Sequence, residues 1–185
     1  KPTMLAQFAV LAAHYERALH GTHRPVVAVL SNGSETGKGT KLTRAADALL
    51  RAADGDGLFE YRGYIEATSL FADDVHVVAT DGFTGNVVLK LAEGVSEMVM
   101  RMVKQQLDTS VRAKMGAPLV KPALSKLEQL IHYSEAGGAV LLGVKELVII
   151  AHGRSNATAI ANAIKSADEM VTTNLVEGLA ATVER

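Results

Sequence analysis

VVAVLSNGSETGKGT, residues 26–40, sets the terms for the fold: a β-branched run empties into a loop carrying three glycines and a lysine. The apolar run is short and uninterrupted, which suits a strand buried on both faces. A phosphate-binding P-loop would place four residues between its first glycine and the Gly-Lys pair, followed by Ser or Thr for magnesium. Here three residues separate Gly33 from Gly37, and Gly39 stands where the hydroxyl belongs. That motif is therefore excluded. What remains is a strand end, glycines that let backbone N–H groups turn toward an anion, and Lys38 as a point charge. The plainer alternative is a strand-to-helix connection with a solvated lysine.

Working outward, residues 3–20 place Leu5, Phe8, Ala9, Ala12, Ala13 and Leu19 close to helical spacing, and Gly21 offers a stop. LTRAADALLRAA, 42–53, returns to helix until Asp-Gly-Asp-Gly at 54–57. A strand at 61–65, a short helix at 67–71 and a strand in VHVVAT, 75–80, follow. Strands alternating with helices predict an α/β fold with a parallel sheet. Residues 87–107 give the longest helical pattern. In 108–130, Pro118 and Pro122 predict two short helices with a break. Strands are expected at 140–142 and 147–151, joined through 143–146, and one last helix over 156–183. Met98, Met100, Met102 and Met115 read as packing residues, since methionine fills irregular apolar space.

The composition is that of a soluble globular domain: 185 residues, 48% hydrophobic and 21% charged. With no cysteine, disulfide frameworks, thiolate nucleophiles and zinc–thiolate sites are excluded. Apolar runs such as LVIIA, 147–151, are too short to span a bilayer, and no charged leader precedes a hydrophobic core at the start. A cytoplasmic protein is expected. The chain starts at Lys1 inside a helical pattern, which reads as part of a longer protein with 1–185 forming a single domain. Within a net charge of −1, residues 101–126 concentrate Arg101, Lys104, Arg112, Lys114, Lys121 and Lys126 against Asp108 alone. That segment suits an acidic partner or anionic lipid. It contains no aromatic residue to stack on bases, so a nucleic-acid partner is not expected.

Ligands of open α/β sheets bind beyond the carboxyl ends of the strands. Three polar glycine loops occupy such ends: SNGSETGKG at 31–39, TDGFTGN at 80–86 and AHGRSN at 151–156, while SEAGGA at 134–139 precedes a strand. In TDGFTGN, Asp81 emerges from a buried strand, and Thr84 or Asn86 is placed to cap the next helix, whose N–H groups favour an anion. His152 at a strand end reads equally as hydrogen-bonded structure, and Ser155 and Asn156 as helix caps.

KPTMLAQFA, SNGSETGKGTKLT, DDVHVVATDGFTGNVVLKLAEG, YSEAGGAVLLGV and IIAHGRSNATAIANAI occur in order along the chain. Together they resemble the carboxyl-terminal portion of the bacterial phosphate acyltransferases, the acyl carrier protein:phosphate transacylases of phospholipid synthesis. The first loop departs from that pattern in carrying Ser34 where an acidic residue or glycine is expected. The resemblance implies a three-layer α/β/α fold with a mostly parallel sheet, similar to phosphotransacetylases and isocitrate-dehydrogenase-like enzymes. It implies transfer of a long-chain acyl group from acyl carrier protein to inorganic phosphate, a homodimer, and loose peripheral attachment at the inner face of the membrane. Neither a cofactor nor a metal is implied.

The chemistry then assigns the residues. Phosphate is already an oxygen nucleophile, so the enzyme has to place charge beside a thioester carbonyl and supply donors for the oxyanion. Lys38, flanked by Gly37 and Gly39, and the N–H groups around Gly82, Thr84 and Gly85 are expected to hold phosphate, with Gly137, Gly138 and Ser155 as further binding residues. Asp81 accepts a proton or orients Lys38, Asn86 donates to phosphate or oxyanion, and His152 protonates the departing thiolate. A short-chain acyl-coenzyme A:phosphate transferase and a noncatalytic dimerisation or membrane-docking module are the alternatives. For the latter, Val111, Met115 and Leu119 recur every four residues, and a projecting helical hairpin with an apolar tip is expected over 101–131.

Overall fold

A computed structural model of the chain describes residues 1–72, 74–131, 138–153, 155–173 and 175–183. The chain forms two compact units. The first comprises Lys1–Gly82, Val140–Ile150 and the residues from Ser166 onward; the second comprises Phe83–Ala139 and Ala151–Lys165.

The first unit is built on a parallel sheet. Its central strand β1, Val26–Leu30, is flanked by β2, Glu60–Ile65, and β3, Val77–Ala79, in the order β2-β1-β3. Val27, Ala28 and Val29 are wholly buried, so the uninterrupted apolar run is the mark of a strand covered on both faces. Each buried valine contributes roughly 1.5–3 kcal/mol relative to exposure. β1 pairs Val27 with Tyr61 and then Ala28 with Gly63, so Arg62 is the extra residue of a bulge in β2. Gly63 adopts φ 96° there, and a Cβ would lie 3.0 Å from Nη2 of Arg51. His76 Nδ1 accepts from the Val26 N–H at 3.1 Å and fixes the entry to β1.

Helix α1, Pro2–His20, opens on proline and ends where Gly21 turns left-handed at φ 71°, its N–H donating to Arg17 O. Its Leu5, Ala9 and Ala13 enter the core formed by β1, β2 and β3, with Leu50 and Phe59. Leu11, on another face, joins Met170, Leu175 and Leu179 in a second cluster. Helix α2, Lys41–Ala53, begins with a reciprocal capping box between Thr40 and Thr43. It buries Ala46 and Leu50 and turns Asp47 and Arg51 toward β2. Two short strands, β4 (Ala139–Val140) and β5 (Ile149–Ile150), pair next to a Leu141 N–H to Val148 O bond of 2.8 Å.

The second unit is helical. It holds α3, Gly82–Leu107, beyond its first residue, α4, Val111–Ile131, and the first part of α5, Ala157–Thr172. The last helix, α6, Leu175–Val183, belongs to the first unit.

The α/β class with a parallel sheet, as expected for an α/β/α fold, is what the structure has. Several boundaries differ. α4 is one helix through Pro118 and Pro122 rather than two short ones. Prolines four apart remove donors on a single side of the helix, and both are exposed, a side where solvent can take the place of the missing donors. Ser110 supplies the start, its Oγ accepting from the Ala113 N–H at 3.1 Å. The helix expected over 156–183 divides into α5 and α6. Thr172 and Thr173 hydroxyls donate back to Glu169 O and Met170 O, competing with continuation of the helix. Residues 67–71 form only a 3-10 turn, Ala67–Ser69. Of the four methionines expected to pack, only Met100 is buried; Met98, Met102 and Met115 are exposed on helical faces that nothing in the described chain covers.

Candidate functional site

Parallel pairing places the ends of β1 and β3 side by side. Val29 lies opposite Ala79, so two residues later the chain leaves the sheet at Ser31 and at Asp81 on the same edge, about one strand spacing (~4.8 Å) apart. From β1 the chain passes to β2 on one side, while β3 lies on the other. The gap between β1 and β3 is thus the topological switch point of the sheet, the position at which open α/β sheets bind ligands.

The loop 31–40 leads from the end of β1 to α2. Gly37 and Gly39 adopt φ 95° and 81°, conformations that favour glycine. A side chain on Gly39 would also collide with the Thr43 hydroxyl. Asn32 Oδ1 accepts from the Gly39 N–H at 2.9 Å, and Arg44 Nη1 donates to Gly39 O at 2.7 Å and to Gly37 O at 3.4 Å. Lys38 is exposed, and its N–H donates to Glu35 O at 3.1 Å. Its stem crosses Gly33, whose added Cβ would sit 2.9 Å from Lys38 Cγ and 2.7 Å from Glu35 Oε2. Lys38 has no ion-pair partner among the described residues. The N–H groups from Asn32 to Gly37 donate to no acceptor among the described residues. Such a run of free donors beside a cation suits an anion.

Asp81 follows β3 and directly precedes Gly82, where α3 begins. The helix was expected from residue 87 with Thr84 or Asn86 as cap. Instead Gly82, Thr84 and Gly85 lie in its first turn and exposed Asn86 in its second, because Asp81 already occupies the flanking position that aspartate favours. First-turn N–H groups have no intrahelical acceptor.

In the second unit, α3 and the segment before α5 meet. Asn86, Lys90 and Glu93 recur at four and three residues and share one face of α3, with Asn86 and Glu93 about 10 Å apart along the axis. Lys90 Nζ bonds Glu93 Oε2 at 2.8 Å. This bond holds the Glu93 carboxyl below its ordinary value, and His152 adds a smaller pull in the same direction. His152 therefore lies within electrostatic reach of the α3 face that carries Asn86. Asn156, not Ser155, caps α5, accepting from the Ala159 N–H at 2.9 Å, while the Ser155 N–H closes a turn on His152 O at 2.9 Å. Gly138 precedes β4 with φ 125°, and Gly137 lies outside the described residues.

The structure thus groups Lys38, Gly37, Gly39 and Asp81 at one sheet edge of the first unit, and Asn86 and His152 along α3 in the second. Sequence reading missed Asn32, Arg44, Lys90 and Glu93. The first two act through backbone groups and leave no spacing signature; the pair on α3 shows as an i, i+3 opposite-charge pattern. Among the described residues, no group of three or more His, Cys, Asp or Glu is placed to hold a metal ion, and no helix is long and apolar enough to cross a membrane.

Comparison with known proteins adds a second line of observation. The family described as "Fatty acid synthesis protein" matches residues 1–177. The phosphate acyltransferase of Myxococcus xanthus (strain DK1622) is 51% identical over 169 residues, covering 90% of this chain and 47% of the relative. That of Anaeromyxobacter sp. (strain K) is 44% identical over 183 residues, covering 99% and 50%. That of Geobacter sulfurreducens is 40% identical over 184 residues, covering 100% and 52%. The chain spans about half the length of the curated relatives it matches.

Proposed function

The chain belongs to the fatty acid synthesis protein family, and on that premise we propose that it is part of a phosphate acyltransferase. The reaction moves a long-chain acyl group from the thioester of acyl carrier protein to inorganic phosphate, giving an acyl phosphate for phospholipid synthesis. The observation that carries this reading is the switch point between β1 and β3, with Lys38 and its free loop N–H groups on one side and Asp81 on the other. The phosphate acyltransferase relatives support it.

In this reading a phosphate oxygen attacks the acyl carbon, the C–S bond breaks, and the thiolate leaves and takes up a proton. Lys38 and the N–H groups of 32–37 hold the phosphate dianion. Asp81 takes the phosphate proton or orients Lys38. Asn86 stabilises developing oxyanion charge, and His152 donates the proton to the thiolate. Phosphate is nucleophilic without activation by a covalent intermediate, so direct attack suffices.

The exposed faces of the second unit favour an additional assembly role in a cytoplasmic homodimer that contacts the membrane peripherally. Phe83, Val87, Leu91, Val95, Met98 and Met102 form one apolar stripe along α3, all at least 44% exposed. On α4, Val111, Met115 and Leu119 are exposed beside Arg112, Lys114, Lys121 and Lys126, a composition suited to anionic lipid.

The test is product formation by the full-length enzyme with acyl carrier protein and coenzyme A thioesters as competing donors. Acyl phosphate from the carrier-protein donor at much the higher kcat/KM is expected. Preference for short acyl-coenzyme A would move the assignment to a phosphotransacetylase-like enzyme, and no acyl phosphate from either would leave only the docking role.

A further inference from the structure

Lys38 is the candidate phosphate cation, yet two side chains that are not candidate ligands fix its backbone, Asn32 at the start of the loop and Arg44 in α2. Gly37 and Gly39 flank it, and both of their carbonyls accept from one guanidinium nitrogen, Arg44 Nη1, at 3.4 and 2.7 Å. The opposite side of Gly39 is held as well, its N–H donating to Asn32 Oδ1 at 2.9 Å. The peptide groups on both sides of Lys38 and the one after Gly39 are thus held, by Arg44 from α2 and by Asn32 from the start of the loop. The clamp extends into the capping box, because Thr43, one residue before Arg44, fills the space that a Gly39 side chain would need.

We infer that Asn32 and Arg44 are positioning residues that fix the direction in which Lys38 and the loop N–H groups face phosphate. The inference rests on the phosphate reading of this loop. Each carbonyl bound by Arg44 has its negative end met by the guanidinium, so less of the carbonyl dipoles opposes an anion at the loop N–H groups. Asn32 accepts without adding charge, whereas an aspartate there would accept equally well and repel phosphate. In this inference Arg44 acts through the loop, its Nη1 being committed to the two carbonyls, and the Lys38→Ala background below separates that role from a direct contact by its other donors.

The test uses the full-length enzyme and separates KM for phosphate, KM for the acyl donor and kcat. Arg44→Ala and Asn32→Ala are each expected to raise KM for phosphate about five- to tenfold, with donor KM unchanged and kcat within about twofold. Arg44→Lys should recover part of the loss, because one ammonium donor can still reach one carbonyl. In a Lys38→Ala background the effect of Arg44→Ala should nearly vanish, as expected for residues that act as a unit. Hydrogen exchange at the Gly39 amide should quicken in Asn32→Ala whatever the activity. If Arg44→Ala keeps its full effect without Lys38, the arginine is a ligand in its own right and the inference fails. It fails too if both variants lower kcat and melting temperature while KM for phosphate stays put. A Lys38→Ala variant with unaltered phosphate KM would instead overturn the phosphate reading itself, and the positioning role with it.

Discussion

Asp81 and Asn86 are five positions apart and carry different proposed roles. Asp81 follows a buried strand beside the candidate anion loop, while Asn86 is exposed on the second turn of α3. Asp81→Asn and Asn86→Ala should each lower acyl transfer by at least ~10²-fold with the melting temperature unchanged, the loss of proton handling in one and of an oxyanion donor in the other. Steady-state kinetics on the full-length enzyme checks this, and rates within a few-fold of the parent would leave both as structural residues. Tyr61 is a residue-scale contrast, because its chemistry concerns stability. Its hydroxyl donates to Asp47 Oδ1 at 2.8 Å, and Arg51 both bonds Asp47 and lies 5.5 Å over the Tyr61 ring. Burial, followed by the bond to Asp47, pushes the phenol well above its ordinary value of 10.0. The contribution is therefore whole below pH 10.0 and is lost as pH rises above it, since the unfolded chain releases a proton that the folded one keeps. Above that pH the parent should lose ~1.4 kcal/mol per unit more than Tyr61→Phe. Urea titrations at several alkaline pH values measure the difference, and parallel slopes would contradict it.

At the level of elements, the chain advertises its parallel sheet and hides its helix ends. The β-branched run at 26–30 and the glycine at 21 each have one physical solution, a doubly covered strand and a left-handed helix stop, and both are found. Pro118 and Pro122 mislead because breaking a helix depends on where the missing donors fall; here they fall on one exposed side. Thr172 and Thr173 mislead in the opposite sense, since their hydroxyls stop a helix without glycine or proline. The candidate site was legible where a residue type suggests a chemistry beside a strand end, as with Lys38 and Asp81. It was illegible where a side chain serves a backbone group, as with Asn32 and Arg44. The start of α2 offers a clean measurement of such local terms. Thr40→Ala removes the hydroxyl that accepts from the Thr43 N–H at 3.2 Å and should cost about 1 kcal/mol in a denaturant titration. An effect below the error of that titration would mean that the Thr43 half of the box suffices alone.

For the whole molecule, the two exposed apolar faces of the second unit make separable predictions. Val111→Asp with Leu119→Asp should abolish co-sedimentation with anionic vesicles while leaving solution activity and molecular mass unchanged. Leu91→Asp with Met98→Asp should instead halve the mass seen by sedimentation. Monomers from the α4 pair would assign that helix to the subunit interface. The first unit, meanwhile, is assembled from segments far apart in sequence. Leu11 faces a cluster whose other members include Leu175 and Leu179, whereas Ala9 and Ala13, on the same helix, pack on strands complete by Ala79. A ribosome adding roughly 5–20 residues per second delivers the sheet partners of α1 within seconds, but leaves Leu11 waiting through 164 further positions, roughly 8–33 s. For that interval the newborn protein carries a finished sheet with one sticky flank, open to any passing chaperone, and it closes only when Leu175 and Leu179 have been made.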